Sequence, residues 1–418
     1  VAEIQPFRAL RYRSDIDLAR VLAPPYDVIP PAYRDELLAR DERNVVRLIL
    51  SGSADDAGYA AAGRSFERWR SEGVLAEDPR PSLYLLEQGF PAAGRTLRRF
   101  GFVARFRAED PERRVVLPHE HTRAEPKQDR WRMLLATRAN FSPVFLMFED
   151  PGARFAAIVA EVAGTRPVAR YADDGGVSHR LWRVEDASLV GRLTELAGKT
   201  TCTIADGHHR YATALRYRDS FGPEGAWTLG YFTPIGAPGL VVLPYHRILS
   251  EGPSLEEARS RLAAGFRTTP AAHATEAADR VAASSAAYAF ALAEPARGAV
   301  VVEAERGAEA MLAAATPPSL RTLDTYFLHH AVLGPLLGVP DAAVSYVHSQ
   351  AEAEVALATG ACRLAVLMRA TPVEQIVAVA EAGESMPAKS TFFHPKLPSG
   401  LVIHPLAVSG PGEAIARR

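Results

Sequence analysis

Thr203-Ile204-Ala205-Asp206-Gly207-His208-His209-Arg210, running on through Tyr211-Ala212-Thr213-Ala214-Leu215-Arg216, reads as a short apolar strand, a sharp polar corner and a helix. The order puts the backbone N–H groups of Gly207, His208 and His209 at the start of the helix. Such amides lack intrahelical acceptors, and the helix dipole places partial positive charge beside them. A corner of this kind suits an anion, phosphate above all. Arg210 adds a planar fork of donors that matches phosphate oxygens. Asp206 stands at the corner, where a carboxylate caps a helix or holds a metal ion. The plainer reading is a capped helix with an ordinary surface arginine. Two histidines and an arginine together at a helix N-terminus fit that reading poorly, because cations are disfavoured there without an anion.

Working outward, strands and helices alternate. Upstream of the corner, Ser188 to Leu196 reads as an amphipathic helix, Val177 to Val184 contains a strand, and Ala156 to Ala163 is helical. Further back, Val144 to Phe148 is a buried strand, Asp129 to Arg138 a helix and Val115 to Leu117 a strand end. Ser82 to Gln88 and Thr96 to Phe106 read as paired strands joined through a turn at Pro91-Ala92-Ala93-Gly94. Gly58 to Glu72 is helical, Val45 to Leu50 a β-type run, and Pro31 to Ala39 a helix opened by proline.

Downstream, Pro234-Ile235-Gly236-Ala237-Pro238-Gly239 is the best candidate boundary. Beyond it strands are expected at Leu240 to Leu243, Tyr288 to Leu292, Ala299 to Glu303 and Arg363 to Met368. Helices are expected at Ser254 to Phe266, Thr322 to Leu336, Ala351 to Thr359 and Val373 to Ala382. The tail after Val408 is small and polar and is expected to fray. The pattern predicts an α/β protein with a mixed sheet, divided into residues 1–233 and 240–418.

Three further stretches carry chemistry. Pro118-His119-Glu120-His121-Thr122 offers Glu120 as a general base and His119 with His121 as metal ligands. On a continuing strand the two histidines share a face and Glu120 points away; on a turn all three converge. A polar strand end without a role explains it equally well. Downstream, Pro126-Lys127-Gln128-Asp129-Arg130 starts a helix with cations that suit a second phosphate. In Pro24-Pro25-Tyr26-Asp27-Val28 the prolines stiffen the backbone around Asp27, a base or a Mg²⁺ ligand. A rigid turn capped by its own Asp is the simpler reading of residue type alone. Met386-Pro387-Ala388-Lys389-Ser390-Thr391-Phe392-Phe393-His394-Pro395-Lys396 could set Lys389 and two hydroxyls against a phosphate, but a C-terminal strand of ordinary β-formers is the better reading of these residues alone. His246, His329, His330 and His348 stand singly on strands or on a helix and are given no role.

Composition narrows the partners. The 418 residues carry 48 Lys+Arg against 49 Asp+Glu, a formal net charge of -1, which disfavours a duplex-DNA clamp. A 48% hydrophobic content supplies cores for about two or three domains. Cys202 and Cys362 make no disulfide framework and read as reduced, structural thiols of a cytoplasmic protein. Val1 to Pro6 shows no signal-peptide pattern, and no apolar run reaches membrane-spanning length. A P-loop and a Gly-x-Gly-x-x-Gly fingerprint are both missing.

Asp206-Gly207-His208-His209-Arg210 before an alanine-bearing helix resembles the Asp-Gly-His-His-Arg box of the ParB/sulfiredoxin-like superfamily. The chain as a whole is similar to an uncharacterised family of bacterial and archaeal proteins. The residues that carry this are Pro24-Pro25-Tyr26-Asp27-Val28, Pro118-His119-Glu120, the box, and Met386-Pro387-Ala388-Lys389-Ser390-Thr391-Phe392-Phe393. In free L-serine kinases of that superfamily the box binds nucleotide phosphates. The resemblance therefore implies a ParB/sulfiredoxin-like N-terminal domain, with a C-terminal α/β domain that closes the cleft through the Lys389 loop. The implied activity is phosphoryl transfer from ATP or ADP to a small hydroxyl compound, with serine as first acceptor. Asp206, Gly207, His208, His209, Arg210 and Arg130 would hold the nucleotide, with Mg²⁺ at Asp206. The resemblance matches no position to the kinases' catalytic carboxylate; by chemistry alone Glu120 or Asp27 would take the proton, and Lys389 and Arg130 would neutralise charge. The alternatives are a metal-dependent hydrolase with His119, His121, Asp206 and His209 as ligands, and a nucleotide-sensing module without turnover.

Overall fold

A computed structural model describes residues 1–50, 55–92, 94–122 and 124–406. Ala93 of the expected hairpin turn and the tail after Val408 lie outside the described residues. The chain forms two compact units: Val1–Pro118 with Thr122–Leu240 and Pro395–Arg418, and His119–His121 with Val241–His394. The sequence predicts a single C-terminal domain over residues 240–418. Instead the backbone rejoins the first unit at Pro395, because main-chain groups there find partners in it. Ser399 N–H donates to the Ala23 carbonyl (2.8 Å), Gly400 N–H to Phe141 (2.8 Å), and Leu10 and Ile403 exchange a pair of bonds at 3.0 Å.

The first unit is built on a nine-stranded mixed sheet. Its strands run in the order Val116–Leu117, Cys202–Asp206, Val144–Phe148, Trp227–Pro234, Arg95–Arg107, Leu83–Ala92, Ser178–Val184, Ala169–Ala172, with Ile4–Gln5 against Arg95–Arg107. Cys202–Asp206 pairs parallel with Val116–Leu117 and antiparallel with Val144–Phe148, which in turn runs parallel to Trp227–Pro234. This is the α/β class with a mixed sheet that the sequence predicts. The central strands alternate into a core of Phe102, Phe106, Phe148, Phe155 and Phe232, where Phe102 and Phe232 stack at 5.1 Å. Each such ring stabilises the unit by about 1.5–3 kcal/mol on burial.

The β-type run at Val45 to Leu50 is instead a short helix, Val46–Ile49. Asn44 explains the difference. Its side-chain oxygen accepts from Val46 N–H at 2.9 Å and its amide donates to the Arg20 carbonyl at 2.7 Å, which turns the backbone before any ladder can form. Burial of Val46, Leu48 and Ile49 then overrides their β-propensity.

The second unit has a six-stranded antiparallel sheet in the order Phe266–Ala271, Gly298–Ala304, Ala289–Glu294, Leu364–Met368, His246–Leu249, Val344–Val347. One face buries Leu249, Phe290, Leu292, Val300 and Val366; the other buries Ile248, Ala291, Val301 and Cys362. Two expected helices are shorter than read. Ser254 to Phe266 ends at Leu262, and Phe266 opens the edge strand where Pro270 is tolerated. Thr322 to Leu336 is one turn, Asp324–Phe327, followed by a π-helical segment, Leu328–Leu333. Both cysteines are free and buried, and burial pushes the Cys202 thiol up to about 12. Among the described residues no helix is long and apolar enough to cross a membrane.

Candidate functional site

The Cys202–Asp206 strand delivers Asp206 to the end of the sheet, and Gly207 turns the chain into the His208–Phe221 helix. Gly207 has φ +98°, a backbone that side chains rarely adopt. A Cβ there would sit 2.9 Å from Arg210 Cζ and 3.0 Å from its Nε, so the guanidinium folds back into the space that glycine leaves. The corner thus needs glycine twice over, for its backbone and for its neighbour. Asp206, Gly207, His209 and Arg210 remain half-buried and His208 is buried, so the corner is not sealed in the core.

Asp206 does not cap the helix. One of its oxygens accepts from Lys396 Nζ at 2.6 Å, and the other accepts from Arg210. A second Arg210 nitrogen donates to the Pro143 carbonyl. Burial alone would raise the Asp206 carboxyl, but the charges of Lys396, Arg210 and His208 outweigh it and hold the group well below the usual carboxylate range. Arg99 is fully buried and also feels the Asp206 charge. It donates to the Gln88 side chain and to the Pro395 carbonyl (2.5 Å), and lies 4.8 Å from the Phe145 ring centroid. Within this unit, therefore, Lys396, Arg210, Arg99 and His208 act on a single carboxylate.

Arg210 also lines a pocket with Tyr26, Ile49, Arg130, Asn140, Ser142 and Thr213. Arg130 is held in place by its donors, which go to Asp129 and, at 2.6 Å, to the Ile49 carbonyl that ends the Val46–Ile49 helix. Its guanidinium lies 3.8 Å over the Tyr26 ring. Burial first, and the adjacent Asp27 charge second, push the Tyr26 hydroxyl up to about 12, against the pull of Arg130 and Arg210. The structure thus brings the Pro24–Val28 stretch to the corner through Tyr26, while the Asp27 side chain is exposed.

The other expected site residues belong to the second unit. His119 is buried and His121 exposed, so the two histidines do not present one face as a regular strand would. Glu120 bridges Met386, and Met386 N–H donates to the His119 carbonyl at 2.8 Å. Two points far apart in sequence, His119–Glu120 and Met386, meet here. Lys389 follows in a left-handed backbone (φ 59°), its Nζ 3.5 Å from Tyr245 Oη.

Each Asp206 oxygen already accepts from a cation, Lys396 on one and Arg210 on the other, so a divalent ion there would share the carboxylate with both. Lys396, Tyr26 and Arg99 are the residues that the sequence did not single out. Lys396 closed the quoted C-terminal stretch but carried no assigned role, since only the returning chain takes it to Asp206.

A family model described as a protein of unknown function, DUF1015, matches residues 4–326. No curated protein matches the sequence. Among solved structures, the chain is similar to a free serine kinase in complex with AMP, at 16% identity and TM-score 0.33 over 66% of this chain and 83% of that one. It is similar to a conserved hypothetical protein from Pyrococcus furiosus at 15% identity and TM-score 0.35, over 71% of this chain and 94% of that one. A third likeness is to SbnI with a C-terminal truncation from Staphylococcus aureus, at 10% identity and TM-score 0.36, over 72% and 90% of the two chains.

Proposed function

The chain belongs to the DUF1015 family, and from that premise we propose that it is a nucleotide-dependent phosphotransferase acting on a small hydroxyl compound. The observation that carries this reading is the gathering of positive charge at the Gly207 corner, where Lys396, Arg210 and Arg99 all act on Asp206. That charge adjoins helix amides and a pocket lined by Arg130 and Arg210. Polyphosphate is the ligand that such charge and such amides suit best.

In this reading Asp206 is a positioning residue. It fixes Lys396 and Arg210 beside the phosphates, and the amides of His208 and His209 lie on the same side of the corner. The hydroxyl oxygen of the acceptor forms a bond to the terminal phosphorus as the bond from that phosphorus to the bridging oxygen breaks. The leaving nucleotide takes the bridging oxygen and its charge. The hydroxyl proton passes to a carboxylate, for which Asp27 and Glu120 are the candidates by residue chemistry alone. No step is assigned to a metal at Asp206. The resemblance of the Asp206–Arg210 box to that of free serine kinases makes L-serine the first acceptor to test.

The test is incubation with ATP or ADP, with and without Mg²⁺, against a panel of amino acids and other small alcohols, with phosphorylated product read by mass. Product formation that falls at least a hundredfold in either D27N or E120Q supports the reading and identifies the base. Nucleotide binding without product favours a sensing module instead, and no binding at all overturns both.

A further inference from the structure

We propose that the second unit carries its own oxyanion site, built on Arg247 and Lys389, which takes a phosphate or carboxylate group of a small molecule. Arg247 lies on the His246–Leu249 strand and is completely buried. Its partners are all neutral: the Tyr245 carbonyl (2.5 Å), the Lys389 carbonyl (3.4 Å), His329 Nε2 (3.4 Å) and the Tyr346 ring at 5.4 Å. Among the described residues no carboxylate forms an ion pair with it. Asp341 acts on His329 through its charge but makes no ion pair with Arg247. A buried cation normally has an anion beside it, because an uncompensated charge is costly to desolvate. Here burial depresses the guanidinium to about 10, and no acid restores it.

The residue whose carbonyl Arg247 holds is itself a cation. Lys389 Nζ lies 3.5 Å from Tyr245 Oη and 5.1 Å from the centre of that ring, and it too has no acidic partner among the described residues. Both cations bond to Tyr245, Arg247 at its carbonyl and Lys389 at its hydroxyl.

The surroundings are held rather than loose. Ser390 Oγ donates to the Pro387 carbonyl (2.6 Å) and accepts from Thr325 Oγ1 (3.1 Å), while Thr371 Oγ1 donates to the Ser390 carbonyl (3.2 Å). These bonds pin the loop that offers its carbonyl to Arg247. Two costly conformations meet there: the left-handed Lys389 and the π-helical segment that carries His329. Both kinds of conformation concentrate at binding sites, where the surrounding structure maintains them for function. Lys389, His329 and Tyr346 are half-buried, so the residues that surround the guanidinium extend to the surface.

The site does not depend on nucleotide binding at the Gly207 corner, and its test separates the two. The full-length protein, labelled at histidine, is titrated with inorganic phosphate and, separately, with acetate. The His329 ring resonance is assigned from its loss in His329→Gln. A saturable shift of that resonance is expected with at least one anion, and which one moves it tells phosphate from carboxylate. Lys389→Asn keeps a residue that accepts the left-handed backbone; it should weaken the apparent affinity at least tenfold. Arg247→Lys, where it folds, should weaken it further, and Gly207→Ala should leave it unchanged. A His329 resonance unmoved by both anions overturns the proposal. So does an equal shift in the wild type and Lys389→Asn.

Discussion

Lys396 and Asp206 are 190 residues apart in the chain, yet Nζ and carboxylate meet at 2.6 Å, with both side chains largely buried. The pair exists because residues from Pro395 onward return to the first unit. It ties the C-terminal segment to the corner that the proposed chemistry uses.

Removing the lysine should therefore weaken the fold as well as the site. Lys396→Met leaves Asp206 buried with Arg210 as its main counter-charge. Breaking a buried pair by deleting one partner costs about 3–5 kcal/mol. Urea unfolding followed by tryptophan fluorescence should show a lower midpoint. An unchanged midpoint would mean that the pair contributes nothing to stability.

The same pair sets an acid limit. Asp206 has a folded pKa depressed below its unfolded value, so its contribution is fully present above the ordinary carboxylate range, near pH 4. It is lost as pH falls from there through the depressed folded value. Stability measured between about pH 4 and pH 2 should decline, and less steeply in Asp206→Asn, which has no carboxylate to protonate. Parallel declines would contradict the assignment.

His404 adds an acid sensitivity at higher pH. Burial, aided by the Arg105 charge, lowers its pKa to about 4, and it stacks on Phe7 at 4.9 Å. The unfolded state takes up a proton near pH 6.5 while the folded state resists until about 4. Stability therefore falls as pH drops through that interval and levels off below it. His404→Phe keeps the stack without the proton. It should narrow the Tm difference between pH 7.5 and pH 5, by about 2–4 °C for each kcal/mol recovered.

How far the sequence carried the reading depends on how local each signal was. The Asp206-Gly207-His208 corner was legible because its backbone is dictated within a few residues. The strands at Val144–Phe148 and Leu364–Met368 were legible because they are continuous apolar runs. Val46–Ile49 was not, because a buried Asn44 side chain decides against the local β-preference. Lys396 and Arg99 were not, because their roles come from long-range return of the chain and from a fully buried cation that no pattern marks. Tyr26 lay inside a recognised stretch, but its neighbour Asp27 drew the attention that chemistry gives to a carboxylate.

Gly207→Ala probes the corner itself. The positive φ costs on the order of 1–3 kcal/mol with a side chain, and the new Cβ would push the Arg210 guanidinium off Asp206. Circular dichroism should show a folded protein with a lower Tm. An unshifted Tm would show that the backbone there is unstrained.

Nucleotide titration by calorimetry is the most direct measurement of the central claim. The wild-type protein should bind ATP or ADP saturably and more tightly than AMP, since each added phosphate meets more of the charge around Asp206. Folded Gly207→Ala should lose at least tenfold in affinity. No binding by the wild type with or without Mg²⁺, or equal binding by the wild type and the folded variant, would contradict a phosphate site at this corner.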